Sequence, residues 1–113
     1  MSPTTKSVTE NLVAELRRGV LVLAILTQLG EEHYGYSLRE KLAERGLEVP
    51  EGTLYPLLRR LESQGLLKSR WQVGEGRPRR YYMTSKEGQT TARDLTHEWT
   101  SLGEALDKVR RGD

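Results

Sequence analysis

The sequence GTLYPLLRRLE occupies residues 52–62, and an arginine-rich segment, GEGRPRR, follows at residues 74–80. Four leucines in the first segment recur at the i, i+3, i+4, i+7 spacing of one helical face, which predicts an amphipathic helix over about 52–64. They are Leu54, Leu57, Leu58 and Leu61. Residues 67–73 then alternate as in a strand, and residues 79–84 can return as its partner. A helix followed by a hairpin in this order predicts a winged helix.

Cationic residues are concentrated in the same stretch. Residues 59–80 contain seven Lys/Arg and two Asp/Glu, whereas the formal net charge of the whole chain is only +2. Phosphate binding requires a local basic surface more than a high total charge. The charge distribution therefore favours contact with double-stranded DNA.

Composition excludes several other classes of protein. A chain of 113 residues predicts one domain with a modest core. No cysteine is present, and His33 and His97 lack the spacing of a zinc site, so we expect no disulfide, no metal and no cofactor. No Ser/His/Asp arrangement or glycine-rich phosphate loop supports catalysis, and we expect no enzyme.

The apolar run at 20–29 is a buried helix by its length. Ten residues are far fewer than the roughly 20 that span a bilayer. Glu10 and Glu15 precede the run, where a signal peptide would be basic. We therefore expect no membrane partner and a cytoplasmic location.

The first helix is predicted over 8–29, after a flexible polar tail at 1–7. Gly30 is expected to end this helix as a left-handed cap. Gly19 in its middle predicts a close helix crossing, because glycine costs about 1 kcal/mol there relative to alanine.

Capping patterns place two further helices. Ser37 begins an S-x-x-E box and Gly46 offers a stop, which predicts a short helix over about 38–45. Thr84 begins a T-x-x-E box that opens a last helix reaching about Arg110. The predicted fold is mainly α with a small β-hairpin, in the order α-α-α-β-β-α.

Apolar residues on the last helix step alternately by three and four, as in a heptad seam. They are Ala92, Leu95, Trp99, Leu102, Leu106 and Val109. This pattern predicts a winged helix-turn-helix domain at 8–84 and a dimerisation helix at 85–113, with Leu95, Trp99, Leu102 and Leu106 in the dimer interface. Packing against helix one of the same chain is the alternative, and we expect both. Trp99 is either an interface anchor or the wall of a pocket for a planar aromatic effector.

The face of helix three opposite its leucines is the first candidate for DNA contact. Arg59 is positioned to reach bases, and Thr53 and Tyr55 to reach phosphate or sugar. A solvated helix face is the alternative. Pro56 removes one backbone hydrogen bond, so either the helix starts near Thr53 or the Gly52 carbonyl loses its partner.

The hairpin tip is the second candidate. Arg77 is placed to enter a narrow minor groove, and Arg79 and Arg80 to neutralise phosphates. A charged edge hairpin that prevents aggregation is the alternative. Trp71 is predicted to pack within the hairpin.

Taken together, these segments resemble the PadR family of bacterial transcriptional regulators, in its short form with a single C-terminal helix. The similarity covers about residues 10–110. It is carried by Arg18-Gly19, Gly35-Tyr36, residues 52–62, Gly65-Leu66, residues 76–82, residues 84–88 and Trp99. Pro50 departs from the family, in which a small polar capping residue is common.

The resemblance implies a homodimeric winged helix-turn-helix repressor that is released by a small molecule or another signal. A twofold pair of reading heads predicts a palindromic operator. The resemblance also implies that Tyr36 and Ser37 touch phosphate, that Thr53 and Tyr55 dock the recognition helix, and that Gly76 and Arg77 serve the wing. The candidate DNA contacts are Tyr36, Ser37, Thr53, Tyr55, Pro56, Arg59, Arg60, Gly76, Arg77, Arg79 and Arg80. A protein-binding adaptor built on the same scaffold is the alternative function.

Overall fold

The computed structural model describes residues 5–74 and 76–112, which form four helices and three strands. The helices are α1 (Thr5–Gln28), α2 (Gly35–Glu44), α3 (Glu51–Ser63) and α4 (Lys86–Arg111). The strands are β1 (His33–Tyr34), β2 (Leu67–Gln72) and β3 (Arg79–Thr84). This architecture confirms the predicted winged helix and adds one strand, β1, to the predicted order.

The core lies where α1, α2 and α3 meet. The leucine face of α3 is buried as predicted, with Leu54 and Leu58 at 0% exposure. Leu38 and Leu42 of α2 cover it, together with the C-terminal half of α1 and the residue that follows it, through Leu21, Ile25, Leu26 and Leu29. Full burial of one such side chain stabilises the fold by about 1.5–3 kcal/mol.

The sheet is antiparallel, with strand order β1-β3-β2. In β1, His33 pairs with Tyr82 and Tyr34 with Tyr81. A strand of two residues has no periodicity that the sequence could reveal. The predicted bounds of β3 are confirmed, whereas β2 ends at Gln72. The Trp71 ring lies 5.7 Å from the Arg80 guanidinium of β3, so Trp71 packs within the hairpin as predicted, although it is 61% exposed.

Helix α1 differs from its prediction at both ends. It includes Thr5–Ser7, which were predicted in the tail; they lack an apolar face but contain no helix breaker, and residues 1–4 lie outside the described residues. Gly30 does not adopt a positive φ, so the predicted left-handed cap is wrong. Instead, the Gly30 N–H donates to the Thr27 carbonyl at 3.1 Å, which tightens the last turn. A Cβ at Gly19 would meet no atom within 4 Å, so Gly19 is at no helix crossing within this chain.

Neither predicted capping box forms as expected. Helix α2 starts at Gly35, directly after β1 has fixed an extended backbone, and Ser37 therefore lies inside its first turn. Gly46 ends the helix segment with φ +90°, as predicted. The N-cap of α4 is Ser85, whose Oγ accepts from the Gly88 N–H at 3.0 Å, and not Thr84.

Thr84 and Ser85 form a buried junction between β3 and α4. The Thr84 N–H donates to the Leu29 carbonyl at 2.8 Å, and its hydroxyl donates to the Leu26 carbonyl at 2.7 Å. The Ser85 N–H donates to the Leu66 carbonyl at 3.0 Å, and its hydroxyl to the Gly65 carbonyl at 2.6 Å. These bonds tie α4 to α1 and to the base of the hairpin.

Beyond this junction, α4 leaves the core. Ala92 and Leu95 pack against it, whereas residues 96–112 are exposed. Within the described ranges, every helix is too short or too polar to span a bilayer.

Candidate nucleic-acid interface

The turn between α2 and α3 is fixed by Arg39. Its Nε donates to the Val49 carbonyl at 3.0 Å, and its Nη1 pairs with Glu51 Oε1 at 3.1 Å. Glu51 lies in the first turn of α3, where the helix dipole favours a negative charge. Arg39 was not predicted, because an arginine on a short helix gives no sign of a contact ten residues away.

Helix α3 begins at Glu51 with Pro50 as its N-cap. The Pro50 carbonyl accepts from the N–H groups of Thr53 and Leu54, at 3.0 and 2.9 Å. Of the two explanations for Pro56, the second therefore holds: Pro56 lies inside the helix, and the Gly52 carbonyl loses its partner. Gly52 is exposed, so solvent can satisfy that carbonyl.

The face of α3 opposite the leucines is exposed over its whole length. It presents Gly52, Thr53, Pro56, Arg59, Arg60 and Ser63. Tyr55 differs, because it is half-buried and its ring covers Gly35; a Cβ at Gly35 would lie 2.6 Å from the Tyr55 hydroxyl oxygen. Tyr55 therefore packs α3 onto the start of α2.

Tyr36 and Ser37 lie in the first turn of α2. Tyr36 is exposed and lines the same groove as Thr53. Ser37 is half-buried, and its Oγ lies 2.9 Å from His33 Nδ1, while His33 Nε2 lies 3.4 Å from Gln28 Nε2. His33 therefore links α1 to α2, a role that the sequence did not predict.

The wing consists of β2, β3 and the tip between them. Its face towards α3 holds a hydrogen-bonded group of Glu62, Ser69 and Arg80, which we call the Glu62 cluster. Arg80 Nη2 lies 2.7 Å from Glu62 Oε1, and Arg80 Nε donates to Ser69 Oγ at 2.9 Å. The Ser69 hydroxyl donates to the second carboxylate oxygen of Glu62. Arg80 thus joins the wing to α3.

The opposite face of the wing carries a stack of cations and aromatic rings. The Arg79 guanidinium lies 4.4 Å from the Tyr34 ring centre, and the Tyr34 and Tyr81 rings meet edge to face at 5.5 Å. Arg70 lies 4.9 Å from the Tyr81 ring and forms two hydrogen bonds with Glu32, at 2.6 and 2.8 Å. The hydrogen bonds from Arg70 lower the pKa of Glu32, and the same contact raises the pKa of Arg70.

The predicted cationic contacts divide into two groups. Arg80 is half-buried and paired with Glu62. By contrast, Arg59, Arg60, Arg77 and Arg79 are exposed and form no ion pair with another residue of the described ranges. Gly76, with φ +97°, turns the chain immediately before Arg77. Among the predicted cationic contacts, these four arginines are the ones without a carboxylate partner in the described ranges.

The predicted dimer-interface residues also form two groups, one packed against the core and one exposed. Leu95 is half-buried against the core, whereas Trp99, Leu102 and Leu106 are exposed. A second exposed apolar group, on the first half of α1, was not predicted, although its spacing marks a helical face. It comprises Val8, Leu12, Val13 and Leu16.

Comparison with known proteins gives one consistent result. The model of the PadR-like family of transcriptional regulators matches residues 22–94. A transcriptional regulator of Mycobacterium tuberculosis is 37% identical over 99 residues, which cover 87% of this chain and 90% of that protein.

Solved structures agree with the sequence match. A PadR family transcriptional regulator from Eggerthella lenta superposes with a TM-score of 0.87 at 44% identity, over 96% of both chains. A PadR-like transcription factor from Bacteroides fragilis superposes with a TM-score of 0.76 at 36% identity, over 88% of this chain and 98% of that one. The chain therefore belongs to the PadR-like family of transcriptional regulators.

Proposed function

We propose that this regulator is a dimeric repressor that binds a palindromic operator in double-stranded DNA and is released by a small molecule. The observation that carries the proposal is the exposed polar face of α3 beside the wing, with four exposed arginines that have no carboxylate partner within the described ranges. Such a surface matches the negative charge of a duplex.

Helix α3 is the element that enters the major groove. Its leucine face is buried and its opposite face is exposed, so only the latter can meet DNA. Arg59 is long enough to contact base edges, and an arginine that bonds guanine in two places contributes about 1–3 kcal/mol of discrimination. The DNA backbone is contacted by Thr53 and Tyr36, which line one groove, and by the half-buried Ser37.

The wing contacts the flanking backbone or the minor groove through Arg77 and Arg79. Arg77 follows the turn at Gly76, at the far end of the hairpin. Arg79 stacks on Tyr34, which restricts the guanidinium without neutralising it. Each cation that meets a phosphate contributes about −0.9 to the slope of log K against log salt concentration.

Dimerisation would cover the apolar side chains that one chain leaves exposed. Trp99, Leu102, Leu106 and Val109 lie on α4, and Leu12 and Leu16 are among those on α1. Both groups of side chains lie outside the core. The α4 helix of one copy can therefore pack against α1 and α4 of the other copy. A twofold pair presents two α3 helices, which matches a palindromic site.

Trp99 is the proposed effector contact. It is 56% exposed and is flanked along α4 by aliphatic side chains. A flat indole in such a surface suits a planar aromatic compound bound between subunits. We expect planar aromatic compounds to quench tryptophan fluorescence, and we expect the Trp99→Leu variant to lose this quenching while it remains a dimer. Unchanged affinity for these compounds in that variant contradicts the effector contact.

Fluorescence anisotropy with duplexes from the DNA beside the gene tests DNA binding. We expect specific binding that weakens steeply with salt, and Arg59→Ala should lose about 1–3 kcal/mol of base preference. A Lys86→Gln variant, which changes an exposed cation at the start of α4 that is not among the candidate DNA contacts, is the matched control. Binding that is absent, or insensitive to salt, contradicts the proposal.

A further inference from the structure

Arg80 differs from Arg77 and Arg79, the other two wing arginines predicted to contact DNA, because its guanidinium already bonds a carboxylate of the described ranges. Its guanidinium bonds Glu62 of α3 and Ser69 of β2, and it lies 5.7 and 5.6 Å from the ring centres of Trp71 and Tyr82. All three members of the Glu62 cluster are half-buried. To bind a phosphate, Arg80 would have to leave Glu62 as an unpaired, partly desolvated charge, which is unfavourable.

The position of Arg80 in the hairpin gives this contact its importance. The third strand, β1, pairs only with Tyr81 and Tyr82, so it ends before Arg80. From there to the tip, the wing is a two-stranded ribbon in which Arg80 pairs with Trp71 and Arg79 with Gln72. An isolated two-stranded ribbon is marginally stable. The Glu62 cluster anchors it at the point where the support from β1 stops.

We propose that Glu62 and Arg80 are positioning residues: they lock the wing against α3, so that Arg77 and Arg79 are held at a fixed distance from Arg59 before DNA arrives. This inference rests on the proposed DNA binding. Its physical basis is pre-organisation, because a mobile wing would lose conformational entropy on binding and a locked wing has already lost it.

Two explanations predict opposite effects for removal of the Glu62 charge. If Glu62 were only a negative charge near DNA, its removal would reduce repulsion of phosphates and tighten binding. If Glu62 locks the wing, its removal weakens binding. Glu32→Gln is the matched control, because it also removes a carboxylate paired with a wing arginine, Arg70, on the face away from α3.

The first test compares Glu62→Gln and Glu32→Gln by fluorescence anisotropy on a duplex that the wild-type protein binds. We expect Glu62→Gln to bind about tenfold more weakly, in line with the ordering of several side chains. Glu32→Gln should bind as the wild type does or slightly more tightly. Binding by Glu62→Gln that equals or exceeds the wild type overturns the inference.

Exchange of the two charges gives a second test that does not depend on Glu62→Gln being folded. Glu62→Arg alone and Arg80→Glu alone should both bind weakly, and the double variant should recover to within about threefold of the wild type. Recovery is chemically possible because the Ser69 hydroxyl both donates and accepts. A double variant no better than Arg80→Glu, or a single Glu62→Arg that binds more tightly than the wild type, overturns the inference.

The salt dependence separates a positioning residue from a phosphate contact. Arg77→Gln should reduce the steepness of log K against log salt by about 0.9 per subunit. Arg80→Gln should weaken binding and leave the slope unchanged; a slope reduced as much as in Arg77→Gln overturns the inference. If the wild type binds no duplex, the proposed function itself fails, whereas wild-type binding with an unaffected Glu62→Gln rejects only the role of the cluster.

Discussion

The two ends of this molecule differ in how their apolar side chains are covered. At the winged-helix end (α2, α3 and the wing), Leu54, Leu58 and Leu61 are at most 1% exposed. At the helical end (the first half of α1 and the second half of α4), Leu16, Leu102 and Val109 are 73%, 62% and 74% exposed. The winged-helix end buries its apolar side chains within a single chain, whereas the helical end leaves comparable apolar side chains exposed.

The difference in burial indicates that the winged-helix end stabilises the single chain, whereas the helical end is suited to assembly. The winged-helix end depends on contacts within the chain, so its contribution to folding is independent of concentration. In the proposed dimer, the helical end gains burial from the second copy, so its contribution should depend on protein concentration. Substitutions at the two ends should therefore differ in how their effects depend on protein concentration.

The largest expected effect is in the core of the winged-helix end. Leu58→Ala should cost about 2–5 kcal/mol in the free energy of unfolding, because it removes a fully buried side chain. Urea denaturation at low and high protein concentration measures it. Leu106→Ala is the matched control: its cost should be small in dilute protein and rise with concentration. Equal, concentration-independent costs would contradict the division.

A charge at the helical end should abolish assembly without unfolding the winged helix. Leu102→Glu places a carboxylate in the exposed apolar stripe of α4. We expect a monomer by light scattering, a circular dichroism spectrum that retains its helical signal, and operator affinity reduced about 100-fold through loss of the second half-site. Glu98→Gln, an exposed change on the same helix, should leave both properties intact. A dimeric Leu102→Glu variant would show that the stripe lies outside the interface.

A smaller effect is expected where α2 and α3 are in close contact. Gly35→Ala places a Cβ within 2.7 Å of the Tyr55 ring, so Tyr55 must move. We expect a cost of about 1–3 kcal/mol, as for other overpacked sites, and weaker DNA binding. Pairing it with Tyr55→Leu should relieve the overlap. If Gly35→Ala is as stable as the wild type in a thermal melt, the contact is looser than described.

The smallest effect concerns Tyr82 and alkaline pH. Burial raises the pKa of Tyr82 above its ordinary value of 10.0, with the Arg80 charge acting in the opposite direction. The folded state therefore holds the phenol proton more tightly than the unfolded state, and this contribution is present below pH 10 and is lost as pH rises through the raised pKa. Tyr82→Phe should lose less stability than the wild type between pH 9 and 11 in thermal melts; parallel losses would exclude the effect.

The sequence predicted the parts of the fold that repeat. The leucine spacing of α3, the bounds of β3 and the stop at Gly46 are all confirmed, because periodicity and glycine conformation are local properties. Strand β1 was missed because two residues form no pattern. Its presence also moved the start of α2 to Gly35 and turned the expected cap at Ser37 into a partner of His33.

The candidate interface was predicted less completely than the fold. The exposed face of α3 follows from helical geometry, and it is present. The pairing of Arg80 with Glu62 joins residues 18 apart, and the bond of Arg39 to Val49 crosses a turn. Such contacts depend on tertiary positions that no local spacing encodes. An arginine that holds the fold together and one that is exposed have the same appearance in the sequence.

The buried junction at Thr84 and Ser85 has a consequence for signalling along the molecule. Its backbone and hydroxyl groups are hydrogen-bonded to the end of α1 and to the base of the hairpin, so the start of α4 is held rigidly. In the proposed dimer, a movement of α4 near Trp99 should therefore tilt the winged-helix end as a rigid body about the subunit interface. A change in the distance between the two winged-helix ends of that dimer would change the spacing of operator half-sites that the dimer can bind.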